Sequence, residues 1–562
     1  MQINFMILTF FYFLSIVCVT GYGFLFKRIL LNNKIQINYG FTGLIGIFFL
    51  TIYSYVSHFF FAHTIIHNSI IFLLGIFLFI IFIRLNFRSI DFKILSLVFI
   101  ILLIAFYCFK THDDFPYYHF PYTNFLTKSD LIIGLGNYDH GWRTPSSIFY
   151  FNSLFYLPFV KYYLFHIGAI LIMGFSIATI SFESYKKFLS RQIDTAFYFK
   201  ILSIIFIFIF FYRISEHGTD RSAQILSFLL ILEILTFIMK QQNFENFFTK
   251  FLILISLIVS LKSFYFIYII FIIPVYYFIY KEAKIYRTLD ILKNNFFYFS
   301  ILLIFLVIIT NIFNTGCLIY PLKFSCFNNI IWSIPQYEIE KMLIHYENWS
   351  KAGATTGFKF KVDNPQEYIS NFNWVSGWIE RYFFNKVSDF LLGLLLIILI
   401  FLILFGFQNK KSKNKFNFNL LYLALFILSL EWFYNHPSLR YGGYSLIAIS
   451  IFLPFSVFLS QRTIDKKFPF KISILIFITI LIFFYRNFDR LKLEYDQYNY
   501  SVFNNAFYFI DDHHFRVEQD FKSLIELYKN CNQKNIKCKS YNGLSAYKNY
   551  GKFVFVRKTK KD

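Results

Sequence analysis

Apolar runs alternate with short polar segments from the first residues of this chain to position 485. A helix that crosses the hydrocarbon core of a bilayer needs about 20 residues with few charges, and about fourteen stretches approach or meet that length. They are Phe5–Phe26, Gly40–Phe60, Asn68–Leu85, Phe92–Phe109, Tyr162–Phe182, Phe197–Tyr212, Ser222–Met239, Phe251–Leu261, Tyr265–Tyr280, Phe296–Phe313, Val387–Phe407, Phe418–Tyr434, Tyr444–Ser460 and Ile472–Tyr485. Phe251–Leu261 is the shortest. The amphipathic stretch Ser146–Val160 predicts a further helix lying in the interface. The expected fold class is an all-α polytopic membrane protein. Residues 1–486 form its multi-pass transmembrane domain, and the polar tail 487–562 is long enough for a small C-terminal domain.

The charges between the stretches set an orientation. Loops on the cytoplasmic side of membrane proteins collect Lys and Arg. With the N-terminus outside, every inner loop is basic: Lys27/Arg28/Lys34, Arg84/Arg88/Lys93, Lys186/Lys187/Arg191, Lys240/Lys250, Lys281/Lys284/Arg287, Lys410/Lys411/Lys413/Lys415 and Arg462/Lys466/Lys467. Three longer segments then fall outside: Lys110–Lys161, Asn314–Lys386 and the tail. No positive charge precedes Phe5–Phe26, so it reads as a retained first helix rather than a cleaved signal. The expected location is the inner (plasma) membrane, with both termini periplasmic.

Composition agrees. The chain has 562 residues, 57% hydrophobic and 15% charged, too apolar for one aqueous core, so the lipid bilayer is a partner. The net charge of +23 follows from the basic inner loops, and no nucleic-acid motif accompanies it. Cysteine fits the same map. Cys317 and Cys326 share an outer segment, Cys531 and Cys538 share the tail, and each close pair on an oxidising side reads as a local disulfide. Cys18 and Cys108 lie in helices. No Cys/His set has zinc spacing.

Candidate chemistry gathers in the outer segments. The first begins Thr111-His-Asp-Asp-Phe-Pro-Tyr-Tyr-His-Phe-Pro. Asp113 and Asp114 at the mouth of an apolar bundle are costly to desolvate. One of them suits a general base toward an acceptor hydroxyl, its basicity raised by a neighbouring acid or an apolar wall. A helix N-cap at the membrane surface is the plainer alternative. His119 follows, and Gly134-Leu-Gly-Asn-Tyr-Asp-His-Gly-Trp-Arg brings Arg143, a residue suited to phosphate. A short outer turn, Arg213–Arg221, holds Glu216, His217 and Asp220. Lys262 and Arg440 sit outside against the charge bias, where an anion such as a lipid phosphate would hold them; snorkelling to the interface is the plainer alternative. No phosphate-cradling Gly-rich loop or dinucleotide fingerprint is present.

The acidic pair in a long outer loop, the many helices and the cationic outer loops resemble the GT-C class of membrane glycosyltransferases. Three segments resemble, more narrowly, a poorly characterised bacterial GT-C-like family: Asp114-Phe-Pro-Tyr-Tyr-His with Gly134-Leu-Gly-Asn, then Thr315-Gly-Cys-Leu-Ile-Tyr-Pro with Cys326, then Pro437-Ser-Leu-Arg-Tyr-Gly. The resemblance implies transfer of a sugar from a polyprenyl-phosphate carrier to an envelope glycan, lipid or protein acceptor, with inversion. Asp113 or Asp114 would deprotonate the acceptor. Arg440, Lys262 or Arg143 would hold the leaving phosphate, and His119, Glu216 and Asp220 would support the acceptor side. The resemblance implies no certain cofactor and leaves room for a divalent metal. Two other readings compete. An O-antigen-type polymerase or ligase would use arginines without the acidic pair. A lipid or sugar transporter would place ionisable residues within its helices, where Glu233 is the exception to otherwise apolar centres.

Overall fold

Each apolar stretch is helical in the computed structural model, which describes residues 4–31, 37–108, 114, 118–214, 218–283, 292–355, 359–407, 416–503, 538–539, 544–549 and 552–557. In chain order the apolar stretches form α1 (Phe5–Leu30), α2 (Tyr39–His58), α3 (Ile65–Asn86), α4 (Ser89–Tyr107), α5 (Ile167–Leu189), α6 (Thr195–Phe210), α7 (Thr219–Ile238), α8 (Phe244–Leu261), α9 (Ile272–Ala283), α10 (Asn295–Thr315), α11 (Ser388–Phe401), α12 (Asn419–Asn435), α13 (Tyr444–Ser460) and α14 (Phe468–Tyr498), with shorter helices such as Gln336–Ser350 between them. A 3-10 segment, Ser263–Phe271, leads into α9, and further helical turns extend α11 to Val375–Gly406. Among the described residues, 12 helices are long and apolar enough to cross a membrane. The two shorter ones are α6, with 16 residues, and α12, with 17.

Local sequence explains where helices begin. Asn38, Thr64, Asp194, Asn243 and Asn294 each turn a side-chain oxygen onto an early N–H of the following helix. That satisfies donors which lipid cannot. Burial then sorts the helices. α2, α5, α7 and α8 are 83–94% buried, as befits helices that are apolar all round. α3, α11 and α14 are buried over only 22–28%, and their exposed Leu73, Phe77, Leu395 and Phe477 form the lipid-facing wall. Within the core, α2 packs on α1 and α5, α8 on α7 and α10, and α13 on α6 and α7.

Two stretches depart from the sequence-based expectation. Ser146–Val160 is not an interfacial helix: only Ser147–Ser153 is helical, and its residues are buried. Its polar edge meets the end of α8 instead of water. Ser146 Oγ donates to the Leu261 carbonyl (2.5 Å), and Ser147 Oγ lies 2.9 Å from Ser260 Oγ. Lys250 is not in an inner loop but inside α8, which begins at Phe244 rather than Phe251. Its ammonium lies 2.8 Å from Glu233 and 3.1 Å from Glu183, and Lys200 lies 2.7 Å from Glu183. Gln242 donates to Glu233 (3.1 Å). The four charges come from α5, α6, α7 and α8, so Glu233 is not the lone ionisable exception. Mutual neutralisation is what allows the apolar helix to extend across Lys250.

Cross-links order the longer segments between and after the helices. Cys317 and Cys326 are joined by a disulfide. Cys531 and the Cys538 side chain lie outside the described residues. The last helix continues past Asn487 to Tyr498. Beyond it, three strands, β1 (Cys538–Lys539), β2 (Leu544–Asn549) and β3 (Lys552–Arg557), form an antiparallel sheet in the order β1-β2-β3. β3 docks on the segment between α4 and α5. Ile133 N–H donates to the Phe553 carbonyl (2.9 Å), Phe555 N–H donates to the Ile133 carbonyl (2.8 Å), and Lys552 pairs with Asp130. Gly134 makes this possible: its φ is +72°, and a Cβ there would lie 2.1 Å from the Phe555 carbonyl oxygen. Gly134→Ala is therefore expected to release β3, costing roughly 1–3 kcal/mol of local stability. Faster proteolytic loss of the tail would register it, and an unchanged cleavage rate would show that the contact is dispensable.

Candidate functional site

Charged side chains from four distant segments meet at one end of the bundle. Arg440 is at their centre. Its Nε donates to Asp220 Oδ2 at 2.8 Å, and its Nη2 pairs with the Asp114 carboxylate. Lys262 Nζ reaches the other Asp220 oxygen at 2.7 Å, and its ammonium stands 4.6 Å from the centre of the Tyr441 ring. Asp220 is thus held from both sides and is 8% exposed, whereas Asp114 and Arg440 keep 24% and 35% exposure. The cluster opens on its Asp114–Arg440 side.

The local sequence places each group. Asp220 is in the first turn of α7, where the helix dipole favours a negative charge. Lys262 follows the last residue of α8 with extended backbone, which turns its side chain back toward α7. Arg440 lies in the turn Leu439–Gly443 ahead of α13, where the backbone leaves helical geometry at Tyr441 and at Gly442 (φ 92°). Glycine suits that conformation. It also suits the space, because a Cβ at Gly442 would meet the Tyr268 hydroxyl at 3.2 Å. Gln224 fixes the turn from α7: its amide donates to the Arg440 carbonyl (3.0 Å), and its oxygen accepts from Ser445 N–H (3.0 Å). Tyr265 donates to the Asp220 carbonyl (3.2 Å).

Aromatic groups wall the cluster. Burial holds the Tyr118 hydroxyl well above its usual pKa, with the Asp114 charge adding to the effect, so it remains a donor. His436 is pushed down to about 4 by burial and then by Lys351 and Lys262, which makes it a neutral imidazole at neutral pH. It lies edge-on to Phe264 (5.6 Å) and Tyr441 (5.9 Å).

The structure brings together Asp114, Asp220, Lys262 and Arg440 among the residues expected from sequence. The environment of Asp114 is not the one expected. Among the described residues the Arg440 guanidinium faces it, shared with Asp220. Asp113 and Glu216 lie outside the described residues. His119 is buried in ring contacts with Tyr118 (4.3 Å) and Phe149 (5.2 Å). Arg143 belongs to a neighbouring group: it pairs with Glu338 and donates to the Gly136 carbonyl (3.1 Å) and the Tyr320 hydroxyl (3.3 Å). The same loop is tied down by Asn314 of α10, whose amide donates to the Trp142 carbonyl (2.7 Å), and by Asn137, whose amide donates to the Trp332 carbonyl (2.8 Å). Tyr346 packs against the small core of Cys317, Tyr320, Ile334 and Ile339.

Sequence reasoning did not single out Gln224, Tyr265, Tyr118 or His436. Gln224 carried a readable signal, since it follows Asp220 by one helical turn. Arg486 is another omission. Its guanidinium stacks 4.0 Å from the Tyr212 ring and donates to the Ile209 carbonyl (2.7 Å).

Two further features complete the surroundings. Among the described residues, no group of three or more His, Cys, Asp or Glu side chains is placed to hold a metal ion. Asp114 and Asp220 both engage Arg440. An open apolar groove of ≈ 460 Å³ runs along α11, lined by Phe383, Leu391, Leu395, Ile398 and Ile451 among others. Tyr382, the residue before Phe383, accepts from Leu439 N–H at 2.9 Å, one residue before Arg440.

The family model described as a domain of unknown function (DUF8201) matches residues 5–447. No curated protein and no solved structure matches the chain.

Proposed function

We propose that this chain, which belongs to the DUF8201 family, is a GT-C-like glycosyltransferase acting at the outer face of the inner membrane. It moves a sugar from a polyprenyl-phosphate carrier to an envelope acceptor, and its termini lie on that outer side. One observation carries the reading: a partly exposed acid–base cluster, Asp114–Arg440–Asp220–Lys262, gathers side chains from four distant segments at one end of the bundle.

The step needs few parts. The acceptor oxygen bonds to the anomeric carbon as that carbon's bond to the phosphate oxygen breaks. The electron pair leaves with the phosphate, and Asp114 takes the acceptor proton. Arg440 and Lys262 face the charge that develops on the phosphate. A guanidinium has five N–H donors and an ammonium three, so each has donors beyond those engaged with Asp114 and Asp220. Fixed donors in a water-poor site stabilise such charge. Arg143, paired with Glu338, holds the loop rather than the phosphate.

The test is transfer by the reconstituted full-length chain, supplied with a panel of radiolabelled polyprenyl-phosphate sugars and envelope acceptors. Wild type is expected to transfer from at least one donor, and Lys262→Met to lower the rate about 10²-fold. A second reading, a lipid or sugar transporter, draws on the ion network of Glu183, Lys200, Glu233 and Lys250 within the helices. Movement of the carrier lipid across vesicles without transfer would decide for it.

A further inference from the structure

The disulfide-closed turn after α10 presents an apolar edge that the described residues of the chain leave open. Phe324 is 89% exposed, Ile331 66% and Phe327 45%. In the same turn Cys317 and Tyr320 are buried in a small core with Ile334 and Ile339. The exposure is imposed by a well-bonded turn. Leu318 N–H donates to the Ser325 carbonyl (2.8 Å), Phe327 N–H to the Gly316 carbonyl (2.9 Å), and Ser325 Oγ to the Ile319 carbonyl (2.9 Å). The fold therefore points Phe324 outward and keeps it there. In water, each such side chain forgoes about 1.5–3 kcal/mol of burial.

The place of the turn identifies what covers it. Trp332 follows directly after Ile331, and its indole N–H donates to the Ile312 carbonyl (2.9 Å) in the last turn of α10. The exposed large apolar side chains of α10 are Tyr298, Ile301 and Phe305. They recur at helical spacing, and the same stripe continues to Ile312. The lipid-facing side of α10 thus ends at the residue on which Trp332 rests, and the apolar edge continues that surface. Trp is enriched at membrane interfaces. Lys323, beside Phe324, is half exposed and pairs with Glu340, which gives the edge a charged rim.

We propose that Phe324, Phe327 and Ile331 insert into the lipid leaflet at the end of α10 and anchor the segment Asn314–Lys386 to the bilayer surface. The occupant is phospholipid, in the boundary zone between headgroups and acyl chains. This holds whichever reaction the charged cluster performs.

Photo-crosslinking tests it on the full-length chain in nanodiscs of phosphatidylcholine and phosphatidylglycerol. The photoreactive residue p-benzoylphenylalanine replaces Phe324 or Phe327, or, as a comparison, Asp363, which is exposed in the same outer segment. These aromatic replacements preserve the turn. After irradiation, intact mass should show phospholipid adducts at 324 and 327 and at least fivefold fewer at 363. Absence of lipid adducts at 324 and 327 overturns the proposal, as does equal labelling at all three positions. A crosslink to a second copy of the chain in place of lipid would also overturn it, showing an interface between proteins.

Discussion

Asp114→Asn should reduce sugar transfer by about 10²–10⁴-fold, the usual loss when a general base is removed, while leaving the protein folded. The substitution keeps the volume and one acceptor oxygen, so the Arg440 guanidinium can still donate to position 114 while its Nε stays on Asp220. Lys262 also remains on Asp220, and the turn before α13 stays pinned by Gln224. The change therefore removes the proton acceptor and little else. Two measurements separate the outcomes. Thermal unfolding in detergent should match wild type to within about 1 kcal/mol, as for a half-exposed charge pair, while transfer collapses. Wild-type transfer by Asp114→Asn would take Asp114 out of the chemistry. If Asp113→Asn alone lost activity, the role would pass to the other carboxylate.

Lys250→Met should destabilise the fold by about 3–5 kcal/mol, the cost of removing one partner from a buried ion pair. Met fills a similar volume, so little of the loss comes from packing. What remains is Glu233, 1% exposed, with only Gln242 to answer its charge, and Glu183 left to Lys200. Unfolding temperature in detergent reads the effect. The double variant Lys250→Met/Glu233→Gln removes both charges and should recover part of the loss, because a neutral pair leaves no orphaned buried ion. A single variant as stable as wild type would show that the network contributes nothing to the fold. Transfer activity in surviving protein should be little changed, since the network lies toward the opposite ends of α7 and α8 from Asp220 and Lys262.

How legible each part was depends on the kind of signal that carried it. The helices were readable because lipid demands long apolar runs, and every run expected to span is helical. Boundaries failed where charges neutralise one another: Lys250 reads as a loop residue only until Glu233 and Glu183 are brought beside it. Ser146–Val160 failed for a similar reason, because its polar edge finds Leu261 and Ser260 rather than water. The members of the charged cluster were visible one at a time, as costly groups near helix ends. That Asp114 and Arg440 are partners, 326 positions apart, was not visible, because no local pattern encodes a contact between distant segments. The docking of β3 on Ile133 was hidden for the same reason.

The cluster also fixes a parity. Side chains cannot touch through a bilayer, so every pair of contacting segments must be separated by an even number of crossings. Asp114 follows α4, and Asp220 opens α7; α5 crosses between them, so α6 must cross as well, although it has only 16 residues. Lys262 closes α8, and Arg440 precedes α13. Between them α9, α10 and α11 are of spanning length, so α12 must make the fourth passage with 17 residues. The two helices that fall short by length are thus required by the contacts Arg440–Asp114 and Lys262–Asp220–Arg440. Deleting either one would turn half of the cluster to the opposite compartment.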